Sequence, residues 1–315
     1  MTEDQLLRGT VEEQEYLAFM VPYDPSTGKP LGTYSVRYIL IPSRLGSTSP
    51  PTITAHSTMT DVTIFPEASP HDDTFHEVLP GVYMMTGEIA MKAGLTMTFS
   101  RNMVVLKADG TDDLVVIHPI RMSEAGLEQL EKLGTVKHII RLSAFHGRDD
   151  PFFKHRYKNA TVWAVEDTKY VRGFDLDSEP IFQPDRYMKD GDDDTTLPVK
   201  GATLHTIQGR KGPPEGALML NRSGKKTLIV GDSLQHHAKK CQYRNWYSNG
   251  MMYCMGFYKP NIVGPIWAKV CCVEKKEMED KLLSLKFDNV LPAHGVPVLE
   301  DAWKKFEPAV KAMKV

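Results

Sequence analysis

Four short stretches of this chain place groups able to bind a metal or move a proton directly after an apolar, strand-like run. They are Ala144-Phe145-His146-Gly147-Arg148-Asp149-Asp150 after HIIRL, His205 with the basic loop Gln208 to Gly212, Gly231-Asp232-Ser233 after TLIV, and Pro292-Ala293-His294-Gly295 after NVL. Imidazole nitrogen and carboxylate oxygen are ordinary donors to zinc and iron, and neutral imidazole is also the usual acid or base near neutral pH. A strand that ends in such a residue delivers it to the active edge of an α/β sheet. A single histidine after a strand is most often a surface or hydrogen-bonded core residue, so the four places carry weight only as a set. No G-x-S-x-G, G-x-x-x-x-G-K-[ST] or G-x-G-x-x-G pattern occurs, which leaves serine-hydrolase, P-loop and dinucleotide chemistry without support.

The elements that must position these residues begin near Phe75. EVLPGVYMM (77–85) reads as a strand, TMTFSRNMVVLKADG as a strand, a tight turn and a second strand, and LVVIHPI (114–120) as another. Ser123 is a good N-cap for the helical EAGLEQLEKLG, with Gly134 as its stop. Further strands are expected at 137–147, 160–166, 202–207, 216–220 and 226–232. Helices should fill much of 233–285, and NVLPAHG should be a last strand before a terminal helix. Hairpins followed by alternating strands and helices predict a layered α/β sandwich. The first seventy or so residues differ, with Pro and Gly punctuation around strand-like runs at 33–41 and 60–65. The expected division is an N-terminal strand and loop extension, 1–74, and one large domain, 75–315. Such an extension can add to a sheet edge, wrap the domain or swap into a second copy, and a homodimer is one expectation.

From about Phe75 onward the sequence resembles the metallo-β-lactamase fold superfamily. VVIHPI, the helix 124–133, KHIIRLSAFHGRDD, TLIVGDSL and NVLPAHG occur in that family's order, the last two being the closest matches. The resemblance implies a four-layer αββα sandwich with a metal site at its edge. It also exposes departures. Laid against the family's H-x-H-x-D-H, Ala144 stands at the first His, His146 at the second, Arg148 at the Asp and Asp149 at the last His. In the next loop the family's ligand position falls near Gly209, Arg210 or Lys211, none of which can serve. The two-metal motif is therefore incomplete, and His205 lies upstream of the ligand position. His118, ending LVVIHPI, is expected to support the site from behind.

Two readings follow. In one, His146, Asp149, Asp232 and His294 form a two-His, two-carboxylate set for one zinc or iron ion, with donors at about 2.0–2.2 Å in the zinc case. His146, Asp149 and Asp232 are then the catalytic groups, and the reaction is hydrolysis of a small-molecule ester, thioester or lactone. In the other, the always-charged Arg148 turns inward, pairs with Asp232 or Asp149 and replaces the cation. The protein is then a non-catalytic member that binds a small anionic ligand or a protein partner, with Arg148, Arg210 and Lys211 as the substrate-binding cations.

Composition narrows the setting. The 315 residues are 41% hydrophobic and 25% charged, and 38 Lys+Arg against 40 Asp+Glu give a net charge of −2, so no global pull toward nucleic acid or an anionic membrane exists. The most apolar stretch, 250–273, is broken by Lys259, Pro260, Pro265 and Lys269, which a spanning helix would tolerate poorly. Four cysteines cannot form a disulfide scaffold in a chain of this length, and with an acidic, polar N-terminus a reduced, cytoplasmic protein is expected.

Overall fold

The computed structural model describes residues 65–93, 95–169, 182–238 and 241–313, together with three short strands nearer the N-terminus. The chain divides into two units, Met1–Ile64 and Phe65–Val315. In the first, β1 (Leu7–Val11), β2 (Gln14–Phe19) and β3 (Arg37–Leu40) form an antiparallel sheet in that order. β3 falls inside the expected run 33–41, while 60–64 lies outside the described residues.

The second unit opens with β4 (His76–Leu79), β5 (Val82–Ala93), β6 (Leu95–Lys107) and β7 (Asp113–Ile117), antiparallel neighbours in sequence order. α1 (Glu124–Leu133) leads to β8 (Thr135–Arg141), α2 (Asp150–Arg156) leads to β9 (Thr161–Val165), and β10 (Arg186–Met188) follows. These strands add in parallel to give a seven-stranded sheet, β10-β9-β8-β7-β6-β5-β4. A second sheet is built from β11 (Ala202–Ile207), β12 (Glu215–Arg222) and β13 (Lys225–Val230). Its fourth strand, parallel to β13, arrives after β14 (Leu234–Gln235), α3 (Trp246–Cys254), β15 (Ile262–Val263), α4 (Pro265–Val270) and α5 (Lys275–Lys281). That strand is β16 (Asn289–Pro292), and α6 (Ala302–Lys311) closes the described chain.

Alternation along the strands produces the layers. Val104, Leu106, Val115, Ile117, Ile140 and Trp163 of the first sheet meet Leu204, Leu218, Ile229 and Leu291 of the second. The intervening residues Met103, Val105, Val116, Ile139 and Val162 face outward, beneath Leu127 and Leu130 of α1 and Phe152 and Phe153 of α2. On the far side Met219, Leu228 and Val290 pack against Trp267, Met278, Phe306 and Val310 from the C-terminal helices. Helix, sheet, sheet and helix make the four-layer αββα sandwich. Each fully buried side chain of this kind contributes about 1.5–3 kcal/mol.

α1 agrees with its sequence signals: Ser123 Oγ accepts from the Gly126 amide at 3.3 Å. The stretch 96–110 differs. It is one strand, β6, paired continuously with β5 in place of the expected strand, turn and strand, and Ser100, Arg101 and Asn102 are buried within it. These polar residues remain in the ladder because each finds a partner on another element. Between 233 and 285 helices alternate with the short strands β14 and β15, and among the described residues no helix is long and apolar enough to cross a membrane.

Candidate metal centre

The C-terminal ends of β7 and β8 in one sheet, and of β13 and β16 in the other, gather at a single edge of the sandwich. His118 follows β7, His146 lies beyond β8, Asp232 follows β13 and His294 follows β16. His146 Nε2 lies 3.1 Å from Asp232 Oδ2, and His294 Nε2 lies 3.4 Å from Asp232 Oδ1. The three residues offer ligand atoms that all fall within 4.8 Å of one another, and they form the one such group among the described residues. Their side chains are 2%, 14% and 10% exposed in that order, so the site is covered but open at one side.

Neighbouring groups set the orientation of each donor. His294 Nδ1 donates to the Ser100 carbonyl at 2.7 Å, which leaves the Nε2 lone pair turned toward Asp232, the arrangement that metal-bound imidazoles use. Phe99 packs against the same ring at 5.4 Å. Gly295 adopts φ +93°, and a Cβ there would meet the His236 carbonyl at 2.1 Å, so the turn that presents His294 requires glycine. The His146 ring lies 4.6 Å from that of His118, whose Nε2 accepts from the Leu142 amide at 3.1 Å. His118 itself sits at φ 54°, a strained position for a non-glycine residue. His146 Nδ1 is buried without a hydrogen-bond partner.

Beneath Asp232, Glu215 is 1% exposed and its carboxylate accepts from the amides of Asp232 at 2.8 Å and Ser233 at 2.7 Å. Burial, reinforced by the charge of Asp232, pushes the Glu215 carboxyl well up. Burial acts on Asp232 in the same direction, but His146 and then His294 outweigh it and hold that carboxyl below its usual range. Burial also pushes the His294 imidazole down to about 4, which keeps it neutral, the form a metal needs.

The other residues singled out from sequence go elsewhere. Asp149 is fully buried, but its Oδ2 is taken by Arg101 Nη1 at 3.3 Å and the Arg121 amide at 3.0 Å, so it stands outside the cluster. Arg148 does not turn inward to replace a cation. Its Nη1 and Nη2 reach Ser69 Oγ at 3.2 Å and the Glu67 carbonyl at 3.4 Å, and its Nε lies 3.6 Å from Asp149. Arg210 is exposed and paired with Glu274 at 3.2 Å, and Lys211 is exposed beside it. His205 is half-buried near Asp190 and Lys281, away from the cluster.

Sequence reasoning missed Ser100, Arg101, Asn102 and Glu215. Ser100 and Asn102 tie β6 to the far half of the site, and Arg101 braces the near half. Arg101 Nη2 donates to the carbonyls of Pro119 at 2.9 Å and His146 at 3.4 Å. Asn102 Nδ2 donates to those of Pro292 at 2.8 Å and Gly295 at 2.7 Å. A polar triplet inside an apolar run was the available signal.

No protein-family model matches this sequence, and no curated protein matches it either. Solved structures do match. The metallo-β-lactamase DIM-1 superposes with a TM-score of 0.51 at 12% identity, over 78% of this chain and 99% of that one. A metallo-β-lactamase from Hirschia baltica covers 76% of this chain and 98% of its own at 13% identity and a TM-score of 0.48. A third, FIM-1 from Pseudomonas aeruginosa in its mono-zinc form, covers 78% and 97% at 10% identity and a TM-score of 0.46. With the four layers in place and the DIM-1 superposition spanning nearly all of that enzyme, this chain has the metallo-β-lactamase fold.

Proposed function

We propose that the protein binds one divalent metal ion, zinc or iron, through His146, Asp232 and His294, and hydrolyses a small-molecule ester, thioester or lactone. The observation that carries this reading is the convergence of three donors within 4.8 Å, with His294 Nδ1 already committed to a backbone carbonyl. Three protein donors leave a position for water, as in catalytic rather than structural zinc sites. A metal held there would acidify that water and polarise the substrate carbonyl. Asp232 would share its oxygens between the metal and the donors around it, with Ser143 Oγ at 3.5 Å and Gln235 Nε2 at 3.4 Å limiting its rotation. His118 would hold the ring plane of His146, and Phe99 would shield His294 from bulk water.

The test is elemental analysis of chelator-treated protein before and after exposure to zinc or iron(II), with ester, thioester and lactone turnover measured on the same samples. Uptake of about one equivalent, with turnover that follows it, is expected. Uptake below about a tenth of an equivalent of either metal overturns the reading.

A further inference from the structure

Arg244 is 7% exposed, yet among the described residues no carboxylate pairs with it. Its Nη2 donates to the Ala238 carbonyl, its Nη1 touches the Met252 sulfur at 4.0 Å, its Cζ lies 5.0 Å from the centre of the Tyr258 ring, and its Nε has no partner. The buried Arg101, by contrast, has Asp149. A guanidinium withdrawn from water without an opposite charge is costly, and it presents unused donors to whatever anion can reach it.

Its surroundings connect it to the metal cradle. Asp232 is bonded by Gln235 Nε2, at 3.2 Å to its carbonyl and 3.4 Å to Oδ1, and Gln235 Oε1 is bonded by His237 Nε2 at 3.0 Å. The loop that carries this relay continues to Ala238, whose carbonyl Arg244 grips. Of the cations that the sequence suggested for an anionic ligand, Arg148 is committed to Ser69 and Glu67, and Arg210 to Glu274.

We infer that Arg244 binds an anionic group, a carboxylate or a phosphate, of the small molecule that reacts at the His146, Asp232 and His294 cluster. The guanidinium fork matches either group with two parallel hydrogen bonds. Met252, Phe257 and Ile262 are buried and pack with Tyr258 beside it, which keeps the guanidinium in an apolar setting where a charged hydrogen bond is strengthened. The inference rests on the reading of this edge as a ligand site, but not on the metal.

The experiment therefore uses chelator-treated, full-length protein, titrated calorimetrically with inorganic phosphate and, separately, with acetate. Saturable binding of at least one anion is expected, with the tighter of the two identifying the group. Arg244→Gln should weaken it at least about tenfold, equivalent to about 1.4 kcal/mol, and Arg244→Lys should fall between, because it keeps the charge and loses the fork. In anion-free buffer Arg244→Gln should melt no lower than the parent, since it removes an uncompensated buried charge. Absence of binding to both anions, unchanged affinity in Arg244→Gln, or a lower melting temperature of that variant without anion overturns the inference. If Arg244→Gln fails to fold, equal affinity in Arg244→Lys and the parent does so. Metal uptake is measured on the same preparations, and its failure would sink the metal reading while leaving the anion result standing.

Discussion

Glu215 and Asp232 show how residue type alone does not assign a role. Asp232 collects two imidazoles and faces the open side of the site, whereas Glu215 is sealed beneath it and spends both oxygens on the Asp232 and Ser233 amides. Glu215 thus fixes the backbone from which Asp232 projects. Glu215→Gln keeps the shape but sets an NH2 group against one of those amides, leaving a buried N–H without an acceptor. The expected loss of stability is about 1–3 kcal/mol, read from urea unfolding. Metal affinity, measured by competition with a chromophoric chelator, should fall about 10–100-fold, and the visible spectrum of the cobalt(II)-substituted protein should shift as the Asp232 donor moves. A variant of reduced stability but parental affinity and spectrum would make Glu215 a packing group only.

At the scale of elements, the ends of β8, β13 and β16 were legible because each joins an apolar run to a ligand-capable residue within a few positions. The partners that make those ends a site were not legible, since they are brought in from other elements. Ser100 of β6 meets His294 of the far sheet, Arg101 meets Asp149, and Glu215 of β12 meets the turn after β13. Local pattern cannot encode such pairings, and for β6 it favoured the wrong local structure. The loop after β11 is a second case. The sequence resemblance put the family's remaining ligand near Gly209, Arg210 or Lys211, and of these Gly209 is wedged against the end of α4: a Cβ would lie 1.9 Å from the Cys271 carbonyl. The backbone therefore excludes any side chain at this position. Gly209→Ala should cost about 1–3 kcal/mol in urea unfolding, as overpacking does. Cys271 is itself buried in the core beneath this loop, and that burial pushes its thiol up to about 12, so alkylation at about pH 8 should label exposed Cys254 and spare Cys271. In Gly209→Ala, Cys271 should become reactive; a protected Cys271 and parental stability together would refute the wedge.

The second unit as a whole places the candidate centre at the seam between its two sheets. His146 comes from the seven-stranded sheet, Asp232 and His294 come from the four-stranded one, and Asn102 already ties β6 to the loop after β16. A cation bound by all three donors would bridge the sheets a second time, and would supply positive charge beside the two buried carboxylates. Such a ligand stabilises the folded state in proportion to its occupancy, because the unfolded chain does not assemble the three donors. At a free zinc concentration about 1,000 times Kd the gain is about 4 kcal/mol. At about 2–4 °C per kcal/mol for a chain approaching this size, the melting temperature should rise by about 10 °C. His294→Ala removes one donor from the far sheet and should abolish most of that rise while leaving the metal-free melting temperature within a few degrees of the parent. Calorimetric scans of both proteins, with and without zinc, separate the possibilities: an equal rise in both would mean that the metal binds somewhere other than the seam, and no rise in the parent would mean that no cation bridges the sheets.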